Sequence, residues 1–291
     1  MLPAIQESRN GTLVAIASRE QSRAQTLATE FGITRIHGGY EDVLADSHVD
    51  AVYVPLVNSL HREWTARALA AGKHVLCEKP LALNAAEAEA MRAAATDAGR
   101  VLMEALMYRF HPRINQLRAE AVDVVHLSAR FGFPLDAPGN YRLDRALGGG
   151  ALLDVGTYCV SSARWFCGEP SRVEAVAHVA GGVDLSVAAV LEFRNGATAS
   201  IWGSFESPEE QELVLVERGG VRRLQVPFTS WKDPDDPYRL MVEEFADAAL
   251  QGRPAPLPLE DSIGTLRVLD AIRSSFEAGS AVVRDLDDRQ P

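Results

Sequence analysis

The stretch HVLCEKPLAL, His74 to Leu83, sets an apolar run directly against an acid, a lysine and a proline. HVLCE reads as a buried strand, because its apolar residues are continuous rather than alternating. Upstream, SLHREWTARALAAGK has helical spacing and ends near Gly72. Downstream, NAAEAEAMRAAATDAG reads as a helix from Asn84 to Gly99, with Asn84 as its N-cap. Farther out the same alternation repeats. DAVYVPL (Asp50 to Leu56), RVLMEAL (Arg100 to Leu106), TLVAIAS (Thr12 to Ser18) and a short RIHGG are strand-like. SRAQTLATEFG, stopping at Gly32, and YEDVLAD are helix-like. Apolar strands alternating with helices predict a parallel, doubly wound sheet over residues 1–107.

Residues 108–291 follow another pattern. VDVVHLSARFGF, RVEAVAHVA, LSVAAVLEF, ATASIWGSF, QELVLVE and VRRLQVPF are long β-rich runs. Asn195-Gly196 between two of them predicts a hairpin. Helices are expected at Ala151 to Phe166, Tyr238 to Gln251 and Leu259 to Ala278. This is an α+β domain with an open, mainly antiparallel sheet, and the boundary is placed near Tyr108 to Pro112.

A chain of 291 residues has room for two such domains. A net charge of −11 argues against nucleic acid or an anionic membrane surface as a partner, since both need a basic face. Cys77, Cys159 and Cys167 are odd in number and form no C-x-x-C pair, so buried thiols in a reducing cytoplasm are expected. The scattered histidines give no metal-binding spacing. No apolar run approaches the roughly 18–20 residues of a membrane span, and no signal peptide is visible.

Lys79 stands at the carboxyl end of a buried strand, where ligands bind in open α/β sheets. Its plain alternative is a solvated loop lysine. Glu78 can pair with it, and Pro80 fixes the turn, with a cis peptide one option. A rigid lysine there can polarise a substrate oxygen or lower the pKa of a neighbouring acid. LGGGALLDVGTYCVSSARWF then places three glycines before a helix, with Asp154 and Tyr158 four residues apart on one face. The plain alternative is a hinge, a dipole-favoured aspartate and a core tyrosine. A tyrosine acts as a base near neutrality only if its pKa of about 10 is lowered, and a nearby lysine does that.

Ser18 and Arg19 end the first visible strand. In dinucleotide-binding folds this position reads the adenosine ribose, and arginine there suits the 2′-phosphate of NADP. The other reading is a polar loop. Asn58 and His61, in VPLVNSLHREW, are either helix-start residues or a loop beside the nicotinamide. Trp64 and Trp165 read as packing.

Together EKP, EALMYRFHPR and GGGALLDVGTY resemble the glucose-fructose oxidoreductase, inositol dehydrogenase and MocA-like (Gfo/Idh/MocA) family, in particular its dihydrodiol dehydrogenase and glucose-fructose oxidoreductase branch. The resemblance covers nearly the whole chain. It implies a Rossmann-like NAD(P)-binding domain joined to an α+β domain whose open sheet often forms oligomer contacts, so a homodimer or higher homo-oligomer is expected. It implies NADP, with NAD as the other option, and a sugar, polyol or dihydrodiol oxidised at a secondary alcohol. Lys79 matches the family lysine, Tyr158 the acid/base tyrosine, and Asp154 the aspartate one turn before it. Ser18, Arg19, Asn58, His61, Glu78, Lys79 and Arg109 fall where members line the cofactor cleft.

The chain departs from the family at its start. Members carry one more strand and a G-x-G-x-x-A/G turn, whereas MLPAIQES matches the helix after that turn and Gly11 is the only early glycine. In the order 3-2-1-4-5-6 that strand is central, so strands 2 and 4 should lose their shared neighbour. Each unpaired buried backbone group costs roughly 1–3 kcal/mol. One explanation is a start placed too late, with roughly 15–20 further residues ahead of Met1. The other is a truncated chain, and the rival function is then a regulatory or non-catalytic member with impaired cofactor binding. A smaller departure predicts a short turn near Ala121 to Asp123. The loops FPLDAPGNYRLD and FTSWKDPDDPY carry no readable substrate code.

Overall fold

The computed structural model describes residues 1–229, 232, 234–280 and 282–283. The second loop just quoted therefore falls partly outside the described residues, at positions 230, 231 and 233.

The first five strands are all parallel and form two groups. β1 (Ala15–Ala17) pairs with β2 (Arg35–His37). β3 (Ala51–Val54), β4 (His74–Glu78) and β5 (Leu102–Ala105) form a separate sheet in that order. Among the described residues β1 and β3 share no ladder, so the expected loss of a common neighbour is visible as a split sheet. A helix joins the first group to the second half of the chain. α1 (Leu2–Glu7) packs on α2 (Gln21–Phe31) and on α8 (Pro237–Gln251) of the second half. The Arg9 amide donates to Glu243 Oε1 at 3.1 Å, and Asn10 Nδ2 donates to Asp247 Oδ1 at 2.9 Å, both on α8.

Helix ends follow local chemistry. α2 and α5 (Ala85–Ala98) stop at Gly32 and Gly99, each in the left-handed region that glycine adopts without strain. Asn84 caps α5, its side chain accepting from the Glu87 amide. Two further helices, α3 (Tyr40–Ala45) and α4 (His61–Ala70), complete the first half.

After α6 (Pro112–Glu120) the chain turns within three residues into β6 (Val124–Gly132), with Asp123 at φ +50°, which a short polar side chain tolerates. The second sheet then gains β7 (Pro170–Ala180), β8 (Val183–Phe193), β9 (Thr198–Ser204), β10 (Glu210–Glu217), β11 (Gly220–Gln225) and β12 (Val282–Val283). Its order is β11-β10-β6-β9-β8-β7-β12, antiparallel except for the β6–β9 pair. Asn195-Gly196 turns the β8–β9 hairpin, with Gly196 at φ +84°. α7 (Thr157–Cys167) and α9 (Leu259–Ala278) pack on one face of this sheet. Buried residues of both halves form one continuous core, from Val75 and Met103 through Tyr108 and Tyr158 to Leu191. Cys77, Cys159 and Cys167 are buried within it. No helix among the described residues is long and apolar enough to cross a membrane.

Candidate active site

β4 ends at Glu78, and the next peptide, Lys79–Pro80, is cis. The lysine side chain crosses to the second half. Its Nζ donates to Asp154 Oδ1 at 2.7 Å and to the Asp154 carbonyl at 2.8 Å. It also lies 4.9 Å from the centre of the Tyr158 ring. Asp154 sits in a single π turn, Leu152–Gly156, which runs into α7 and Tyr158. Such turns widen the helix and leave carbonyls open to side-chain donors, and the Asp154 carbonyl accepts one here. The sequence-predicted trio of Lys79, Asp154 and Tyr158 is therefore brought together.

A fourth residue, Arg142, was missed. Its Nε donates to Asp154 Oδ2 at 2.8 Å, so the carboxylate carries a cation on each oxygen. Burial works against the Asp154 charge, but Lys79 and Arg142 outweigh it and hold the carboxyl below its ordinary range. Arg142 lies in an isolated 3-10 turn, Tyr141–Leu143, too short to show a periodic signal in the sequence.

Tyr158 corrects an expectation. Lys79 was expected to lower its pKa. Instead burial, reinforced by Tyr238, Glu78, Asp154 and Glu104, pushes the phenol well above its usual value. The physical reason is that the Lys79 charge is already matched by Asp154 at contact distance. The phenol is thus protonated near neutrality, the form that donates a proton.

Glu78 accepts from the Tyr53 hydroxyl at 2.5 Å and from the Lys79 amide at 3.1 Å. Tyr53, an inward residue of β3, was also missed. Asn58 is buried and donates to the Gly148 carbonyl at 2.8 Å, tying the first half to the glycine run. His61 was read as lining the cleft, and the structure gives it another place. It is fully buried, with Nδ1 2.8 Å from the Pro80 carbonyl and Nε2 2.9 Å from the Leu56 carbonyl. The ring thus lies between two strand-end loops, a neutral imidazole donating to one of the two carbonyls. Burial pushes its pKa down, against the pull of the two carbonyls. The Arg109 guanidinium pairs with Asp261 at 2.5 Å and stacks 3.9 Å over Trp165, a packing role for both.

Ser18 and Arg19 lie just past β1; Arg19 is exposed, while the Ser18 hydroxyl accepts from the Glu20 amide at 3.2 Å. The residues present fit a dinucleotide at its two ends. Arg19 offers an unburied guanidinium at the carboxyl end of β1, and Glu78 and Lys79 occupy the carboxyl end of β4, the side on which open parallel sheets bind ligands. No G-x-G-x-x-G/A run stands among residues 1–14.

Residues 1–106 match the family model described as "Oxidoreductase family, NAD-binding Rossmann fold", and residues 120–235 match the "GFO/IDH/MocA C-terminal domain". The chain belongs to the Gfo/Idh/MocA oxidoreductase family. It is 40% identical to D-xylose 1-dehydrogenase (NADP(+)) 2 of Haloferax volcanii, over 98% of this chain and 95% of that protein. It is 34% identical to a trans-1,2-dihydrobenzene-1,2-diol dehydrogenase of Xenopus tropicalis, over 79% of this chain and 70% of that one. Among solved structures, the aldose-aldose oxidoreductase of Caulobacter crescentus in complex with glycerol superposes with a TM-score of 0.90 at 29% identity, covering 97% of this chain and 95% of that one.

Proposed function

We propose that this protein is an NADP-dependent dehydrogenase that oxidises an aldose or a related polyol or diol at a secondary alcohol, with Tyr158 as the proton-transfer group. The observation that carries the reading is the convergence of Lys79, Asp154 and Tyr158 from two halves of the chain onto one point. The similarity to an NADP-dependent xylose dehydrogenase supports the substrate class and cofactor.

Arg19 would take the 2′-phosphate, while Glu78 and Lys79 would border the nicotinamide end. The bound nicotinamide supplies the hydride acceptor. Everything else falls to the chain's own side chains. Lys79 Nζ orients the substrate hydroxyl beside the Tyr158 oxygen, and in the oxidative direction the phenolate form of Tyr158, the minor form near neutrality, takes the hydroxyl proton as the hydride leaves. Asp154 fixes the lysine from below. In the reverse direction the protonated phenol donates to a carbonyl oxygen, which its raised pKa favours. A purely regulatory role would leave no reason for a lysine, an aspartate and a tyrosine to meet in a buried cluster.

Fluorescence titration with NADPH and NADH, followed by an aldose panel, tests the reading. Tighter binding of NADPH and NADP reduction with at least one aldose are expected. No binding of either dinucleotide would overturn it.

A further inference from the structure

We propose that Arg142 is a positioning residue that shares Asp154 with Lys79 and so keeps the charge facing the Tyr158 oxygen from turning net negative. The inference rests on the reading of Tyr158 as the proton-transfer group.

Lys79 Nζ and Asp154 Oδ1 are 2.7 Å apart. Seen from a third group close by, one cation and one anion at that distance largely cancel. Lys79 with Asp154 alone therefore does little for a phenolate forming on Tyr158. Arg142 changes the sum. Two cations share one carboxylate, so one cationic charge remains to set against Glu78. Glu78, a further anion near the phenol, accepts only from the neutral Tyr53 hydroxyl and Lys79 amide, so its charge stands and the second cation is what offsets it.

The fold holds Arg142 rigidly. Its amide donates to Asn140 Oδ1 at 3.0 Å, and its carbonyl accepts from the Gly150 amide at 2.9 Å. Its guanidinium lies 4.8 Å over the Tyr141 ring. A Cβ on Gly149 would stand 2.4 Å from the Arg142 carbonyl oxygen. The glycine run is thus shaped around the Arg142 backbone rather than serving only as a hinge. The residue is part-buried, which weakens solvent screening of its charge.

The charged and titratable groups facing Tyr158 come from several elements. Lys79 and Glu78 approach from the end of β4, Asp154 from the π turn, Glu104 from β5 and Tyr238 from α8. The Tyr108 ring lies 6.0 Å away, and Arg142 interacts electrostatically with the phenol.

The test compares the parent with R142Q, R142K and Y158F in NADP-dependent D-xylose oxidation across pH. Losing a cation raises the pKa of the base, so in R142Q the acidic limb of kcat should move up by about one pH unit, and kcat below that limb should fall about tenfold. R142K keeps the charge and should restore most of both. A second readout needs no turnover: carbon-13 NMR of the Asp154 carboxyl should show a higher pKa in R142Q than in the parent. An unmoved limb and an unmoved Asp154 titration, with Y158F inactive, would overturn the Arg142 proposal and leave the Tyr158 reading standing. An active Y158F would overturn that reading itself. If R142Q does not fold, R142K decides: a profile within a few tenths of a pH unit of the parent supports the charge role, and a tenfold loss contradicts it.

Discussion

Asp154 is the side chain on which the site turns, because it anchors a cation at each oxygen while almost wholly buried. Its folded pKa is depressed, so its contribution to stability is present above the unfolded value of about 3.9 and is lost as pH falls through the folded value. D154N leaves two cations without their anion and should destabilise the protein at neutral pH by roughly 3 kcal/mol. Urea unfolding at pH 7 and at successively lower pH should show the gap between parent and variant narrowing below the carboxylate range. A constant gap would contradict the account. At this scale the sequence was informative where spacing carries meaning. Lys79 follows a strand, and Asp154 and Tyr158 lie one turn apart, so each could be read. Arg142 and Tyr53 could not, since one lies in an isolated 3-10 turn too short to show a period and the other looks like any strand aromatic. The burial of His61 was not legible either, because sequence gives no measure of enclosure: a polar residue at a strand-end loop looks the same whether it faces a cleft or two carbonyls.

β5 and the glycine run set the site's geometry from behind. Glu104 on β5 is buried and accepts from the Leu81 amide at 2.9 Å, holding the loop that follows Lys79. Burial pushes its pKa up to about 7. A raised carboxyl favours the protonated native form, so stability should fall as pH rises from the unfolded value towards pH 7 and then level off. E104Q should abolish that slope, on the order of 3 kcal/mol between pH 4.5 and 7, as read from denaturant midpoints. An unchanged slope would exclude Glu104 as its source. Gly149 allows the close approach of the Arg142 carbonyl, so G149A must displace backbone rather than a flexible side chain. About 1–3 kcal/mol of stability should be lost, with reduced turnover, while the neighbouring exposed A146G stays within about 1 kcal/mol of the parent. Strands and helices were legible from their apolar runs and caps. The π turn was not, because Ala151 to Phe166 reads as ordinary helix and the widening depends on Lys79 arriving from elsewhere in the chain.

The molecule as a whole presents one sheet face away from its helices. Val176, Ala188, Trp202 and Arg130 stand in register across four strands on that face. Val176 is 70% exposed and Val190, one row along, 50%. Reading this face as the contact between copies predicts that V176E with V190E lowers the mass measured by light scattering, leaving unfolding midpoints nearly unchanged. An equal mass for parent and variant would place the contact elsewhere. The split of the first sheet was legible too, since a doubly wound order without its central strand leaves β1 and β3 with no common neighbour. What could not be read was how the start of the chain docks, with Arg9 and Asn10 reaching α8 more than two hundred residues away. The central claim is that Tyr158 transfers the proton in an NADP-dependent oxidation at the Lys79–Asp154 site. Its most direct test is NADP reduction by the parent and Y158F over an aldose panel, with NADPH affinity measured on both. The account predicts a loss of about 10²–10⁴ in kcat for the variant at unchanged NADPH affinity. A variant that turns over like the parent would contradict it.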